Sequence, residues 1–140
     1  MDKVIRFGVS LPKDLLVRFD REIANKGYNN RSEAIRDLIR EFLVRQEIDK
    51  DMEVVGTLTI VYDHHVRDIS DNLTAIQHES YRYIHSNMHI HLDHDNCLEV
   101  IVLRGKYSTI SKIADKIIGS RGVKHGKLTF TSTGKNLSGV

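Results

Sequence analysis

In Ile5-Arg6-Phe7-Gly8-Val9-Ser10-Leu11-Pro12 the apolar side chains fall on every second residue, with Ile5, Phe7, Val9 and Leu11 on one face and Arg6, Gly8 and Ser10 on the other. A period of two is that of a half-buried strand. Pro12 stands where a helix favours its first residue. Leu15, Phe19 and Ile23 then recur at helical spacing, Leu16 widens the stripe, and Gly27 closes the helix. Asn30-Arg31-Ser32-Glu33 has the pattern of a capping box with Asn as the cap. Ala34, Ile35, Leu38, Ile39 and Phe42 line one side of the second helix that follows.

This segment holds one strand and two helices, with no further strand before about Asp51. A lone strand leaves its backbone N–H and C=O groups without partners. A second copy of the chain supplies them. Two strands side by side form an antiparallel ribbon over the apolar faces of four helices, and its outer face displays Arg6, Gly8 and Ser10 from each subunit. Such a ribbon fits the major groove of B-DNA, where Arg reaches a guanine edge with two hydrogen bonds. The N-terminus of the second helix, with Asn30 and Arg31, offers N–H groups and positive charge to a phosphate. The alternative for this segment is a swapped dimerisation module that never touches DNA.

The chain has 140 residues, of which 40% are hydrophobic and 29% charged, enough for one medium domain or two small ones. No apolar run approaches the ~18 residues of a membrane span, and Met1-Asp2-Lys3-Val4-Ile5-Arg6 lacks the apolar core of a signal peptide. The single cysteine, Cys97, excludes an intrachain disulfide framework, so a soluble cytoplasmic protein is expected. Up to Glu47 there are ten Lys/Arg against eight Asp/Glu; beyond it the charges balance at eleven each, and all eight histidines and the cysteine lie there. A slightly basic first part and a neutral, ligand-rich second part suggest two jobs in two places.

Beyond the charged stretch Glu47-Ile48-Asp49-Lys50-Asp51 the pattern changes. Strands are expected over Val54–Tyr62, Met88–Leu92, Leu98–Leu103 and Val123–Thr131, and helices over Asp68–Ile84 and Ser108–Ser120. The order β-α-β-β-α-β is a split, ferredoxin-like (ACT-like) plan with two helices on one face of an antiparallel sheet, the other face being left for a partner. The fold class is therefore α+β. Residues 1–47 are expected as a βαα ribbon-helix-helix unit, 48–53 as a linker, 54–133 as the ferredoxin-like domain and 134–140 as a flexible tail.

The chemistry gathers in His89-Ile90-His91-Leu92-Asp93-His94-Asp95-Asn96-Cys97. On a strand His89 and His91 share a face, Asp93 to Asn96 reads as a tight turn, and Cys97 begins the returning strand. Two imidazoles and a thiol come close through the hairpin alone, and a four-coordinate site needs one more donor. His78 is the best candidate. It lies two residues, about 200°, round its helix from the inward-facing Ile76, so it points away from its own sheet and toward a partner subunit. The shared site would make assembly and metal binding one event. A His₃Cys set suits Zn(II), Ni(II) and Cu(II) alike. His65, His85 and His94 read as surface residues, and His64 and His125 have no derived role. No nucleophile–base pair has independent support, and a filled four-donor set leaves no open coordination position, so the chain does not read as an enzyme.

The first segment resembles the ribbon-helix-helix DNA-binding regulators, through its strand pattern, Leu11-Pro12, and Gly27-Tyr28-Asn29-Asn30-Arg31-Ser32-Glu33-Ala34-Ile35-Arg36. Gly8 departs from the polar side chain usual at that ribbon position. The combination with Gln77-His78, His89-x-His91-x₅-Cys97, Tyr62-x-His64, Cys97-Leu98-Glu99 and Arg121-Gly122-Val123-Lys124-His125-Gly126 resembles the nickel-responsive transcription regulators from about Arg6 to Gly126. That resemblance implies square-planar Ni(II), one per subunit, held by His89, His91 and Cys97 of one subunit and His78 of another. It implies a homotetramer, a dimer of dimers, with a ribbon at each end that binds operator double-stranded DNA as a repressor. Tyr62 and Glu99 would orient the ligands, Glu33 and Asp37 would belong to a weaker cation site, and Arg67 is a candidate for a phosphate. The rival functions are a ribbon-helix-helix regulator whose second domain senses a small organic molecule such as an amino acid, and a metal-buffering protein.

Overall fold

The computed structural model describes residues 3–137. Two helices, α1 (Lys13–Asn25) and α2 (Arg31–Asp49), precede β1 (Glu53–Asp63), α3 (Ile69–Glu79), β2 (Ile84–His91), β3 (Asn96–Lys106), α4 (Tyr107–Ile118) and β4 (Val123–Ser132). Their ends follow local chemistry. Gly27, at φ +86°, allows a left-handed residue after α1, so the Tyr28 N–H reaches the Ile23 carbonyl at 3.0 Å and the Gly27 N–H reaches that of Ala24. Asn30 caps α2 by accepting the Glu33 N–H at 2.9 Å, and Glu33 reaches back to the Asn29 N–H.

The strands form one sheet in the order β2-β3-β1-β4, each neighbouring pair antiparallel. This is the ferredoxin-like arrangement the element order implied. Along β1 and β3 alternate residues are buried: Val54, Leu58, Ile60 and Tyr62 from one, Cys97, Glu99, Ile101 and Leu103 from the other. They pack against Ile69 and Leu73 of α3 and Ile110, Ala114 and Ile117 of α4. The opposite face carries Val61, Leu98, Val100 and Val102 half-buried, with Met88 56% exposed and Ile90 and Leu92 also open.

Two expectations need correction. The helix expected over Asp68–Ile84 ends at Glu79, and the chain turns through Ser80–Tyr83 into a β2 that is longer than Met88–Leu92. Long-range pairing overrides the helical spacing here, because the Arg104 N–H bonds the Tyr83 carbonyl at 2.8 Å and Ile84 pairs with Leu103. The strand expected over Ile5–Leu11 joins no ladder among the described residues, and residues 3–12 are exposed throughout, Ile5 at 76% and Phe7 at 67%. A strand needs a second backbone, and a single chain offers this segment none.

Between the two parts α2 runs through Asp49, so the chain that was expected as a linker begins as helix. Asp51, in the left-handed region at φ +54°, places its carboxylate on the Ser108 N–H and hydroxyl, both at 2.7 Å, and so serves the first turn of α4. These bonds hold its carboxyl below the usual range. Residues 134–137 form a turn beside Phe130 and the α2 residues Asp37 and Arg40; the rest of the expected tail, and Met1 and Asp2, lie outside the described residues.

Candidate metal centre

The register of the β2–β3 hairpin brings the donors together. His91 stands opposite Cys97, and Tyr62 on β1 stands on the other side of Cys97; one row further in, His89 faces Glu99. All five share the helix-covered face, because a strand repeats every two residues. One ligand atom each from His89, His91 and Cys97 lies within 4.8 Å of the other two. Cys97 is fully buried at the base of the site and the two imidazoles are exposed at its mouth.

The turn joining the strands is held by Asp93, whose Oδ1 accepts the N–H groups of Asp95 and Asn96 and the Asn96 side-chain amide. Those bonds lower the Asp93 carboxyl and fix where Cys97 begins. Burial pushes the Cys97 thiol up, with the Asp93 charge adding to it. Its Sγ lies 3.4 Å from His91 Nδ1.

Tyr62 and Glu99 stand where ligand-orienting residues would be needed. Tyr62 Oη is 3.3 Å from His89 Nδ1, engaging one ring nitrogen and leaving the other free. Burial first, then the charges of Glu99 and Cys97, push the Tyr62 phenol up to about 12, so it stays neutral. Glu99 is buried and its carboxyl is raised by desolvation, against the hydrogen bonds of Gln77 and Asn87 and the nearby His89. Gln77 donates to Glu99 Oε2 at 3.2 Å, and Asn87 donates to Gln77 Oε1 at 3.0 Å. Asn87 had no role in the sequence reading. It joins α3 to β2 only because β2 starts early.

His78 is exposed on α3 and lies outside the three-donor cluster of its own chain. It borders a shallow recess with Gln77, Tyr81, Asn87 and Glu99. The donors present suit a borderline divalent ion: imidazole and thiolate are the ligands that zinc, copper and nickel accept.

The other expected residues are placed as follows. Arg6, Gly8 and Ser10 are exposed on the N-terminal segment, and a Cβ on Gly8 would meet nothing within 4 Å. Asn30 is engaged as a helix cap. Arg31 forms a two-bond pair with Asp20 on α1, both bonds 2.8 Å, which lowers the Asp20 carboxyl. Arg67 has a side chain 93% exposed, 3.8 Å from Asp68. Glu33 caps α2, and Asp37 accepts the Tyr28 hydroxyl at 2.7 Å and pairs with Arg40. Glu33 and Asp37 are in neither of the potential ion-holding groups among the described residues.

The chain has an α+β architecture whose second part carries a cluster of His and Cys that could hold a metal ion, and whose first part carries two helices after an exposed segment. The family model described as "NikR C terminal nickel binding domain" matches residues 55–131, and that described as "Ribbon-helix-helix protein, copG family" matches residues 5–46. The chain belongs to the NikR family. Relatives from Geobacter sulfurreducens (57% identical, covering 98% of this chain and 99% of that one) and Caldanaerobacter subterraneus (55%, covering 98% and 90%) are each described as "Putative nickel-responsive regulator". A third, from Thermococcus kodakarensis, is 52% identical over 96% of this chain and 99% of its own and carries the same description. An uncharacterized protein from Thermotoga maritima has a similar fold over 56% of this chain and 96% of its own, with a TM-score of 0.50 at 18% identity.

Proposed function

We propose that this protein is a nickel-responsive, DNA-binding transcription regulator of the cytoplasm, a repressor that holds operator DNA when Ni(II) occupies a site shared between subunits. The observation that carries the reading is the hairpin that sets His89, His91 and Cys97 within 4.8 Å of one another, in a chain that also has a ribbon-helix-helix unit. His78 of the partner subunit completes the set, with one ion per subunit of a homotetramer built as a dimer of dimers. Ni(II) held by these four side chains would link the two subunits.

The chain's own residues do the rest. Cys97 must lose its proton to bind, and its burial makes that loss harder, so nickel uptake weakens as pH falls. Tyr62 fixes the ring of His89, and Glu99 braces α3 against β2 through Gln77 and Asn87. Because Gln77 and His78 are adjacent on α3, the network that holds Gln77 also positions His78 at the edge of its subunit. A move from 1:99 to 99:1 in favour of the DNA-competent form requires a ~10⁴-fold preference, about 5.5 kcal/mol. A site that loses a donor when subunits shift is suited to supply it.

At the other end Arg6 and Ser10, with Gly8 allowing close approach, would face the bases, while Asn30, Arg31 and Arg67 would face phosphates. Arg31 must exchange Asp20 for a phosphate to do so. The charge of the chain as a whole, +2, points to local contacts at the ribbon as the source of DNA binding. Glu33 and Asp37 would form a weaker cation site where the two domains meet on DNA, once Asp37 gave up Tyr28 and Arg40.

The test is selection of binding sites from a random duplex library by the full chain, with and without Ni(II). Enrichment of an inverted repeat with Ni(II) only is expected, and Arg6→Ala should abolish it with nickel content unchanged. Equal enrichment in both conditions would sink the reading.

A further inference from the structure

Helix α2 has two working faces. Ile35, Leu38, Ile39 and Phe42 form the apolar stripe expected to meet a second ribbon-helix-helix unit, and Leu38, Ile39 and Phe42 are exposed. On the other side Asp37, Arg40, Val44 and Ile48 are half-buried and Glu47 is buried. At about 100° per residue these five lie roughly opposite the apolar stripe. The chain's own second domain covers them: α2 packs on β1 and β4, and Ile48 joins the core of the sheet. Nearer the start of α2 the two parts stand across a cleft of about 440 Å³, with Tyr28, Asp37, Arg40 and Val44 on one wall and Phe130 and Leu137 on the other.

Leu137 reaches that wall because the chain turns back after β4. Gly134, at φ +82°, donates its N–H to the Ser132 hydroxyl at 3.0 Å, and the Leu137 N–H returns to the Gly134 carbonyl at 3.2 Å. We propose that residues 134–137 are an intramolecular strap, which holds α2 against its own metal-binding domain in an arrangement that must open before the chain binds operator. The inference rests on the nickel-responsive, DNA-binding reading. Two observations mark the docked arrangement as one that α2 leaves. Its packing is unfinished: the cleft stays open, and Glu47 Oε2 is buried without a hydrogen-bond partner, a costly state for a carboxylate. Contacts of this polar kind between domains permit relative motion. In addition, Asp37, which the reading gives to a cation site used on DNA, is engaged here by Tyr28 and Arg40. Opening the cleft would separate that wall of α2 from the strap.

The test compares the full chain with two variants of opposite effect. Leu137→Asp sets a second carboxylate across the cleft from Asp37 and weakens the strap. Glu47→Met removes the orphaned oxygen at similar length and tightens the docking. Backbone amide exchange over residues 40–48, measured without metal or DNA, should quicken roughly fivefold in Leu137→Asp, the scale of losing one half-buried Leu, and slow in Glu47→Met. Unchanged exchange in β1 and β3 shows that each variant is folded. Operator affinity with Ni(II) should rise by a similar factor in Leu137→Asp and fall in Glu47→Met. Exchange in α2 that ignores Leu137→Asp overturns the proposal, as does operator affinity that stays level or drops when the strap is weakened. A wild type that binds no operator with Ni(II) sinks the regulator reading instead, and the exchange rates then decide whether the strap exists.

Discussion

Tyr62 carries no charge and would make no bond to an ion, yet it lies between Cys97 and His89. Its hydroxyl engages His89 Nδ1, and its burial keeps it a neutral phenol. Loss of a group that orients a ligand typically costs about 10–100-fold in metal affinity, so Tyr62→Phe should weaken Ni(II) binding by about that factor at pH 7. Competition against a chromogenic chelator measures it; unchanged affinity would mean the ring is held by packing alone. The convergence of His89, His91 and Cys97 was legible at this scale, because His-x-His followed by a turn and Cys can point only to one face of a hairpin. The roles of Asn87 and of the covered face of α2 were not. Neither is a local pattern, and each exists only once distant segments have been paired.

Helices and strands are terminated by chemistry that was partly readable. The Asn30 cap and the Gly27 turn follow from residue types, but Asp51 serves α4 across 57 positions of sequence. Its carboxyl is lower in the folded chain than its ordinary 3.8, chiefly through the Ser108 N–H and then the Ser108 hydroxyl. A depressed carboxyl contributes stability that is present above its unfolded pKa and is lost as pH falls through the folded value. Asp51→Asn keeps a residue that tolerates φ +54° while removing the charge. It should melt below wild type at pH 7, with the gap closing as the pH drops below the ordinary carboxylate range; a gap independent of pH would refute the charge argument. Gly126 on β4 makes a second test. A Cβ there would sit 2.6 Å from Ile118 Cγ1 and 3.1 Å from Ile60 Cγ2. Gly126→Ala should cost about 1–3 kcal/mol by overpacking, read from urea unfolding. The helix expected to continue past Glu79 failed for the opposite reason: Ser80–Tyr83 keep a passable helical spacing, but β3 demanded a partner for Leu103.

At the scale of the whole molecule the chain leaves two apolar surfaces uncovered, the Ile5–Phe7–Val9 segment with its helices and the outer sheet face with Met88, Ile90 and Leu92. Exposed apolar area of this extent marks an interaction site, and the proposed tetramer would use both. Sedimentation should give four chains for wild type and two for Ile90→Asp, in which ribbons still pair; an unchanged mass would remove the sheet face from the assembly. Among the described residues no helix is long and apolar enough to cross a membrane. Sequence alone determined the two-part plan, the presence of β1 and β3, the helix caps and the meeting of His89, His91 and Cys97, because each depends on residue type and short spacing. Tertiary structure decided where α3 stops, which helix Asp51 serves, how Glu99 is braced and which face of α2 the second domain covers. Those depend on strand register and on contacts between remote segments, and neither leaves a mark on neighbouring residues.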